Sequence, residues 1–204
     1  MSTESLFHES HDVSSIIHAI TSWCFDLAQR ENIKVAEALL ECGADANSRD
    51  KNTRTPLHLA SEQGHLDFAQ VLLDRGGDAK ALDKDNMTPL HLSSQKGHLK
   101  LAELFLSCGA DATARDKNGQ TPLHLASKQG CLDVVQLLLD RGADVDARDE
   151  GGMTCLHLAS QEGRLNVVQL LLDRNADPNA RGEDDQTALH LALRNVHRYA
   201  FSLL

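Results

Sequence analysis

The tetrapeptide Thr-Pro-Leu-His stands at Thr55-Pro56-Leu57-His58, Thr88-Pro89-Leu90-His91 and Thr121-Pro122-Leu123-His124, a step of 33 residues. It returns with one substitution at Thr154-Cys155-Leu156-His157 and at Thr187-Ala188-Leu189-His190. A second phrase keeps the same step, in Gly43-Ala44-Asp45, Gly76-Gly77-Asp78, Gly109-Ala110-Asp111, Gly142-Ala143-Asp144 and Asn175-Ala176-Asp177. Two phrases locked to one period constrain the chain to a stack of like units, each burying its apolar face on its neighbours. Such a solenoid needs no central core, so its function belongs on a surface rather than in a pocket.

The unit from Asn118 to Glu150 shows why. Thr121 before Pro122 reads as an N-cap followed by proline in the first helical turn. Leu123 and Ala126 give that short helix one apolar face, and Gly130 can end it at positive φ without steric cost. A second helix from about Leu132 to Leu139 carries Leu132, Val135, Leu138 and Leu139 on one side, and Gly142 ends it. The polar segment that follows, to Gly152, reads as an extended connection with a tight turn. Helices this short are unstable alone and must pack on the preceding and following copies. Few large rings are needed for such packing, and the chain has one Trp, one Tyr and five Phe.

The unit resembles the ankyrin repeat, whose signature joins Thr-Pro-Leu-His-x-Ala, Gly-His-Leu, a Leu-rich helix and Gly-Ala-Asp. The resemblance covers about residues 30 to 204. It implies an all-α ankyrin-repeat solenoid of stacked helix-turn-helix units with β-hairpin connections and a concave binding face. The units are expected at 52–84, 85–117, 118–150 and 151–183, with a partial C-terminal one at 184–204. A capping helix and degenerate first repeat are expected over 12–51, after a disordered segment 1–11.

At the N-terminal edge, Val13, Ile16, Ile17, Ile20, Trp23, Cys24 and Leu27 repeat at helical spacing, which predicts an amphipathic helix from Asp12 to Gln29. It serves as a cap over the first repeat or as a partner-binding helix. A turn at Glu31-Asn32, one residue shorter than its counterparts, leads to a second helix from Ile33 to Leu40. At the other edge the phase places Ala200 to Leu204 inside the second helix of the last unit. The apolar Leu203-Leu204 favours a longer chain.

Eleven histidines raise the question of a metal site. The five in the tetrapeptide (His58, His91, His124, His157, His190) lie one repeat apart, with no second ligand at helical or CxxC spacing. The resemblance implies instead that each bonds its Thr and the backbone of the adjoining loop. His65, His98 and His197 share another equivalent position, occupied by Cys131 and Arg164 in the sister units. Five cysteines without CxxC spacing (Cys24, Cys42, Cys108, Cys131, Cys155) read as free thiols in a reducing compartment, cytoplasmic or nuclear. No secretory signal or membrane span is legible, so membrane insertion is not expected. The net charge of −10, from 30 acidic and 20 basic residues, argues against nucleic acid as a partner.

No Gly-rich phosphate loop, GxSxG, HExxH or Cys-His pair stands outside the repeat pattern, so neither catalysis, cofactor nor small-molecule substrate is expected. Binding specificity must lie where the copies differ, at the hairpin tips and first-helix ends. The candidate partner-binding residues are Arg49, Lys51, Arg54 and Glu62 at the first tip and the helix after it, and Leu82, Lys84, Met87 and Lys96 at the second. The third offers Arg115, Lys117, Gln120 and Lys128, the fourth Arg148, Glu150, Met153 and Glu162, and the last Arg181 and Glu183. The tips run from basic at Arg49-Lys51-Arg54 to acidic at Glu183-Asp184-Asp185, and Leu82, Met87 and Met153 supply apolar anchors.

Asn86, Gly119, Gly152 and Asp185 at the tip turns tolerate positive φ. Thr53 is β-branched, so the first tip is expected to differ in shape. Asn47 and Asn179 read as turn formers, or as targets of the asparaginyl hydroxylation known in ankyrin proteins. The expected function is a monomeric protein-interaction scaffold or adaptor. The alternatives are an inhibitor of a kinase or transcription factor, and the ankyrin arm of a larger multidomain protein.

Overall fold

A computed structural model describes residues 29–201, with side chains described for 32–182 and 184–194. The expected segment 1–11, the expected helix upstream of Gln29, and Leu203-Leu204 lie outside the described residues. So do the side chains of Glu183 and His197.

Among the described residues lie ten α-helices: α1 (Gln29–Glu41), α2 (Pro56–Gln63), α3 (Leu66–Asp74), α4 (Pro89–Lys96), α5 (Leu99–Ser107), α6 (Pro122–Gln129), α7 (Leu132–Asp140), α8 (Cys155–Gln161), α9 (Leu165–Asp173) and α10 (Ala188–Phe201). The first helices α2, α4, α6, α8 and α10 stack in one layer, and the second helices α1, α3, α5, α7 and α9 in another. Helices α3, α5, α7 and α9 each also pack on the first helix of their own unit. The apolar phrase of every unit meets between the layers. Leu57, Leu90 and Leu123 are fully buried there, with Leu72, Phe105, Leu138 and Leu171 from the second layer. Burying one such leucine contributes about 2 kcal/mol, enough to set the register of each junction.

Local chemistry sets each break between helices. Gly64, Gly97 and Gly130 follow α2, α4 and α6 at φ of 82°, 75° and 83°. A β-carbon at Gly130 would stand 2.8 Å from Arg164 Cδ, and one at Gly97 would stand 2.9 Å from Cys131 Sγ. His98, Cys131 and Arg164, which open α5, α7 and α9, therefore lie over the glycine of the preceding unit. Where that glycine is replaced, the backbone there is helical instead. Glu31 lies within α1, so no turn forms at Glu31-Asn32 as the spacing had suggested. Val196 occupies the corresponding place in the last unit, and α10 continues unbroken to Phe201 instead of turning into a separate second helix. Any residue but glycine pays for left-handed backbone, and β-branched Val196 pays most, so both places have one cause.

The connections carry two recurring aspartates. Asp45, Asp78, Asp111, Asp144 and Asp177 each accept the backbone N–H two residues on, at 2.8 to 3.1 Å. Asp50, Asp83 and Asp116 accept two N–H groups each across the tip, as from Asn52 (2.8 Å) and Arg54 (2.9 Å). Much of the acidic excess is thus turn chemistry. The connections are tight loops rather than the expected β-hairpins: no strand occurs among the described residues, and two backbone bonds close each tip, such as Asp116 N–H to the Gln120 carbonyl at 2.9 Å and Gly119 N–H to the Asp116 carbonyl at 3.0 Å. Thr53 adopts φ 59°, matching Asn86 at 58°, so the first tip shares its neighbours' positive-φ turn despite its β-branched residue.

Candidate functional site

The histidines of the tetrapeptide join one unit to the next. Thr55 N–H donates to His58 Nδ1 at 3.1 Å, and the Thr55 hydroxyl lies 2.8 Å from the same nitrogen. His58 Nε2 lies 3.0 Å from the Met87 carbonyl of the following tip. A carbonyl can only accept, so Nε2 carries the proton and the ring is neutral. His91, His124 and His157 repeat the pattern onto Gln120, Met153 and Gln186 at 3.1, 3.2 and 3.1 Å. Burial holds His58, His91 and His124 below the ordinary histidine range, against an opposing pull from the carbonyl each ring bonds. Both nitrogens of these rings are engaged. Among the described residues no three His, Cys, Asp or Glu side chains gather as metal ligands. His190 keeps its bond to Thr187 but is exposed, as is Leu189 at 68%.

The tips form a second set of links. One guanidinium nitrogen of Arg49, Nη1, donates to the Thr53 carbonyl at 2.9 Å and to the Leu82 carbonyl of the next tip at 2.5 Å. Arg115 does the same to Gly119 and Arg148, and Arg148 to Gly152 and Arg181. Three residues expected to face a partner therefore spend their guanidinium groups on the scaffold. Lys84 reaches Asn52, Lys117 pairs with the Asp85 carboxylate, Gln120 reaches Asp149, and Arg181 pairs with Asp185. Exposed pairs of this kind contribute at most about 1 kcal/mol and rearrange readily.

Two neighbouring rows run along the tips and first-helix ends. Arg54 pairs with Asp50 at 3.2 Å and Glu62 at 3.1 Å. Arg194 donates to Gln186 Oε1 at 3.2 Å. These contacts show that the last tip residue adjoins the helix residue eight positions on. By the same register Met87 adjoins Gln95, Gln120 adjoins Lys128, and Met153 adjoins Gln161. Among the candidates, the side chains of Lys51, Leu82, Met87, Lys96, Lys128, Glu150, Met153 and Glu162 form no hydrogen bond or ion pair within the described residues. The Arg54–Glu62 spacing of eight recurs with Gln186 and Arg194, so that pairing was available to sequence reading and was missed. The Arg49-type links were not, because a carbonyl acceptor leaves no mark on residue identity.

Asn47 is held at both ends of its amide. Nδ2 donates to the Gly76 carbonyl at 2.9 Å, and Oδ1 accepts from Asp78 N–H at 2.7 Å. It acts as a clamp between the first two connections.

The chain matches the family model for ankyrin repeats in three copies, over residues 25–116, 101–182 and 149–204. A stretch of 36 residues is 53% identical to Protein fem-1 homolog C of Danio rerio. That stretch spans 18% of this chain and 6% of the length of that protein.

Proposed function

Because this chain belongs to the ankyrin repeat family, we propose that it is a non-catalytic scaffold or adaptor that binds a partner protein along its tips and first-helix ends. Ankyrin repeats are generally protein-interaction modules. One observation carries the reading to particular residues. The repeated residues are consumed in packing and links between units, whereas Met87, Lys96, Lys128 and Met153 vary between copies and their side chains form no hydrogen bond or ion pair within the described residues. Methionines beside amide and cationic groups make an adaptable surface with apolar anchors and a polar rim.

Cys42 and Cys108 are exposed free thiols, and Cys131 and Cys155 are also unpaired, which supports a reducing, cytoplasmic or nuclear, setting. No helix among the described residues is long and apolar enough to cross a membrane.

The test is affinity capture followed by mass spectrometry, comparing the parent with Met87→Glu, Lys96→Glu, Lys128→Glu and Met153→Glu combined. Circular dichroism confirms that the variant folds. The proposal expects specific partners to be lost, and an unchanged set of partners refutes it.

A further inference from the structure

Four of the five tips open with arginine, at Arg49, Arg115, Arg148 and Arg181, but the second opens with Leu82. Where the arginine bridges forward, its Nη1 donates to the carbonyl four residues on and to the carbonyl 33 residues on. The same offsets from position 82 identify the carbonyls of Asn86 and Arg115. Leu82 offers no donor, and among the described residues nothing donates to either oxygen. Leu82 itself is 44% exposed.

The junction is otherwise built like its neighbours. Lys117 N–H donates to the Asp85 carbonyl at 2.9 Å, matching Glu150 N–H on Asn118 at the next junction. Lys117 Nζ also pairs with the Asp85 carboxylate. These contacts hold the second and third tips in the register that arginine spans elsewhere.

We propose that the junction between the second and third tips receives an arginine side chain from the partner protein, resting on the protein-binding reading above. Its guanidinium takes the two carbonyls of Asn86 and Arg115, and its methylenes lie on Leu82. The chemistry favours arginine over lysine. The guanidinium is planar, weakly hydrated and rich in N–H donors, whereas an ammonium is a compact, strongly hydrated charge. A cation beside Arg49 and Arg115 is tolerable, since Arg115, Arg148 and Arg181 already follow one another along successive tips.

The probe is acetyl-Gly-Gly-Arg-Gly-Gly-amide, titrated into the full chain and followed by amide NMR. Saturable shifts are expected at Leu82, Met87, Arg115 and Asp116, where the Met87 and Asp116 amides directly follow the Asn86 and Arg115 carbonyls. The citrulline peptide keeps N–H donors without charge and should bind about tenfold more weakly. Leu82→Arg supplies the donor within the chain, so the shifts should vanish and the urea midpoint should not fall. Equal binding by Leu82→Arg, equal binding by the lysine peptide, or shifts scattered over the acidic fifth tip would each overturn the proposal. Partner capture separates the two readings. A partner kept by Leu82→Arg but lost by the Met87/Lys96/Lys128/Met153 variant sinks only the arginine site, and capture unchanged by either variant sinks both.

Discussion

Thr53→Gly should stabilise the array. Thr53 sits at φ 59°, where two sister tips place Gly119 at 72° and Gly152 at 71°. A non-glycine residue in that region carries about 1–3 kcal/mol of strain, and β-branching puts threonine toward the upper part. The Thr53 side chain is exposed and its hydroxyl bonds nothing among the described residues, so removing it forfeits no contact. Glycine adds unfolded-state entropy worth about 0.5–1 kcal/mol in the opposite direction. The net expectation is a gain of about 1 kcal/mol. With a urea slope of about 2 kcal/mol/M, the midpoint should rise by about 0.5 M at unchanged slope. A solenoid can lose its end units first, so local exchange should accompany the global melt. The Arg54 amide is the reporter, since it donates to Asp50 Oδ1 at 2.9 Å across this turn. An unchanged or lower midpoint, with unprotected Arg54, would show that the turn does not strain threonine.

Stability should fall with acid through the tetrapeptide histidines. Burial keeps His58, His91 and His124 below the free value of 6.5 in the folded chain, so the unfolded chain binds protons first. Their contribution is complete above pH 6.5 and is lost as pH falls toward the depressed folded values; urea midpoints that stay flat between pH 7 and 5 would contradict this. Gly130→Val should lose more than about 2 kcal/mol, because left-handed strain adds to a steric clash. The new β-carbon would stand 2.8 Å from Arg164 Cδ at φ 83°. Near-neutral behaviour in a urea melt would refute that account.

The features legible from the sequence were those with a short reach. Thr121-Pro122 marked a helix start, Gly130 a left-handed end, and the 33-residue step a stack, because each acts within a few residues. The helical backbone at Glu31 and Val196 was legible by the same rule, as each position lacks the glycine its sisters use. Trust in the overall phase obscured them. The roles of Arg49, Arg115 and Arg148 were a different case. They share tips with truly variable residues, and their acceptors are backbone oxygens one repeat away. Only coordinates separate them from Lys51 or Met87. Thr53 was misjudged because its intrinsic preference was weighed alone, while the surrounding tip bonds hold the turn regardless.

The His58 ring spans 29 residues to its carbonyl and the Arg49 guanidinium spans 33. His91, His124 and His157 keep the first separation and Arg115 and Arg148 the second, so the links meter the length of chain between successive units. One residue inserted into a tip or turn would displace both acceptors at once, whereas removing a whole unit leaves each donor facing an equivalent oxygen. Heritable changes in length should therefore survive in multiples of one repeat. Single-residue indels should be confined to stretches outside the metered spans.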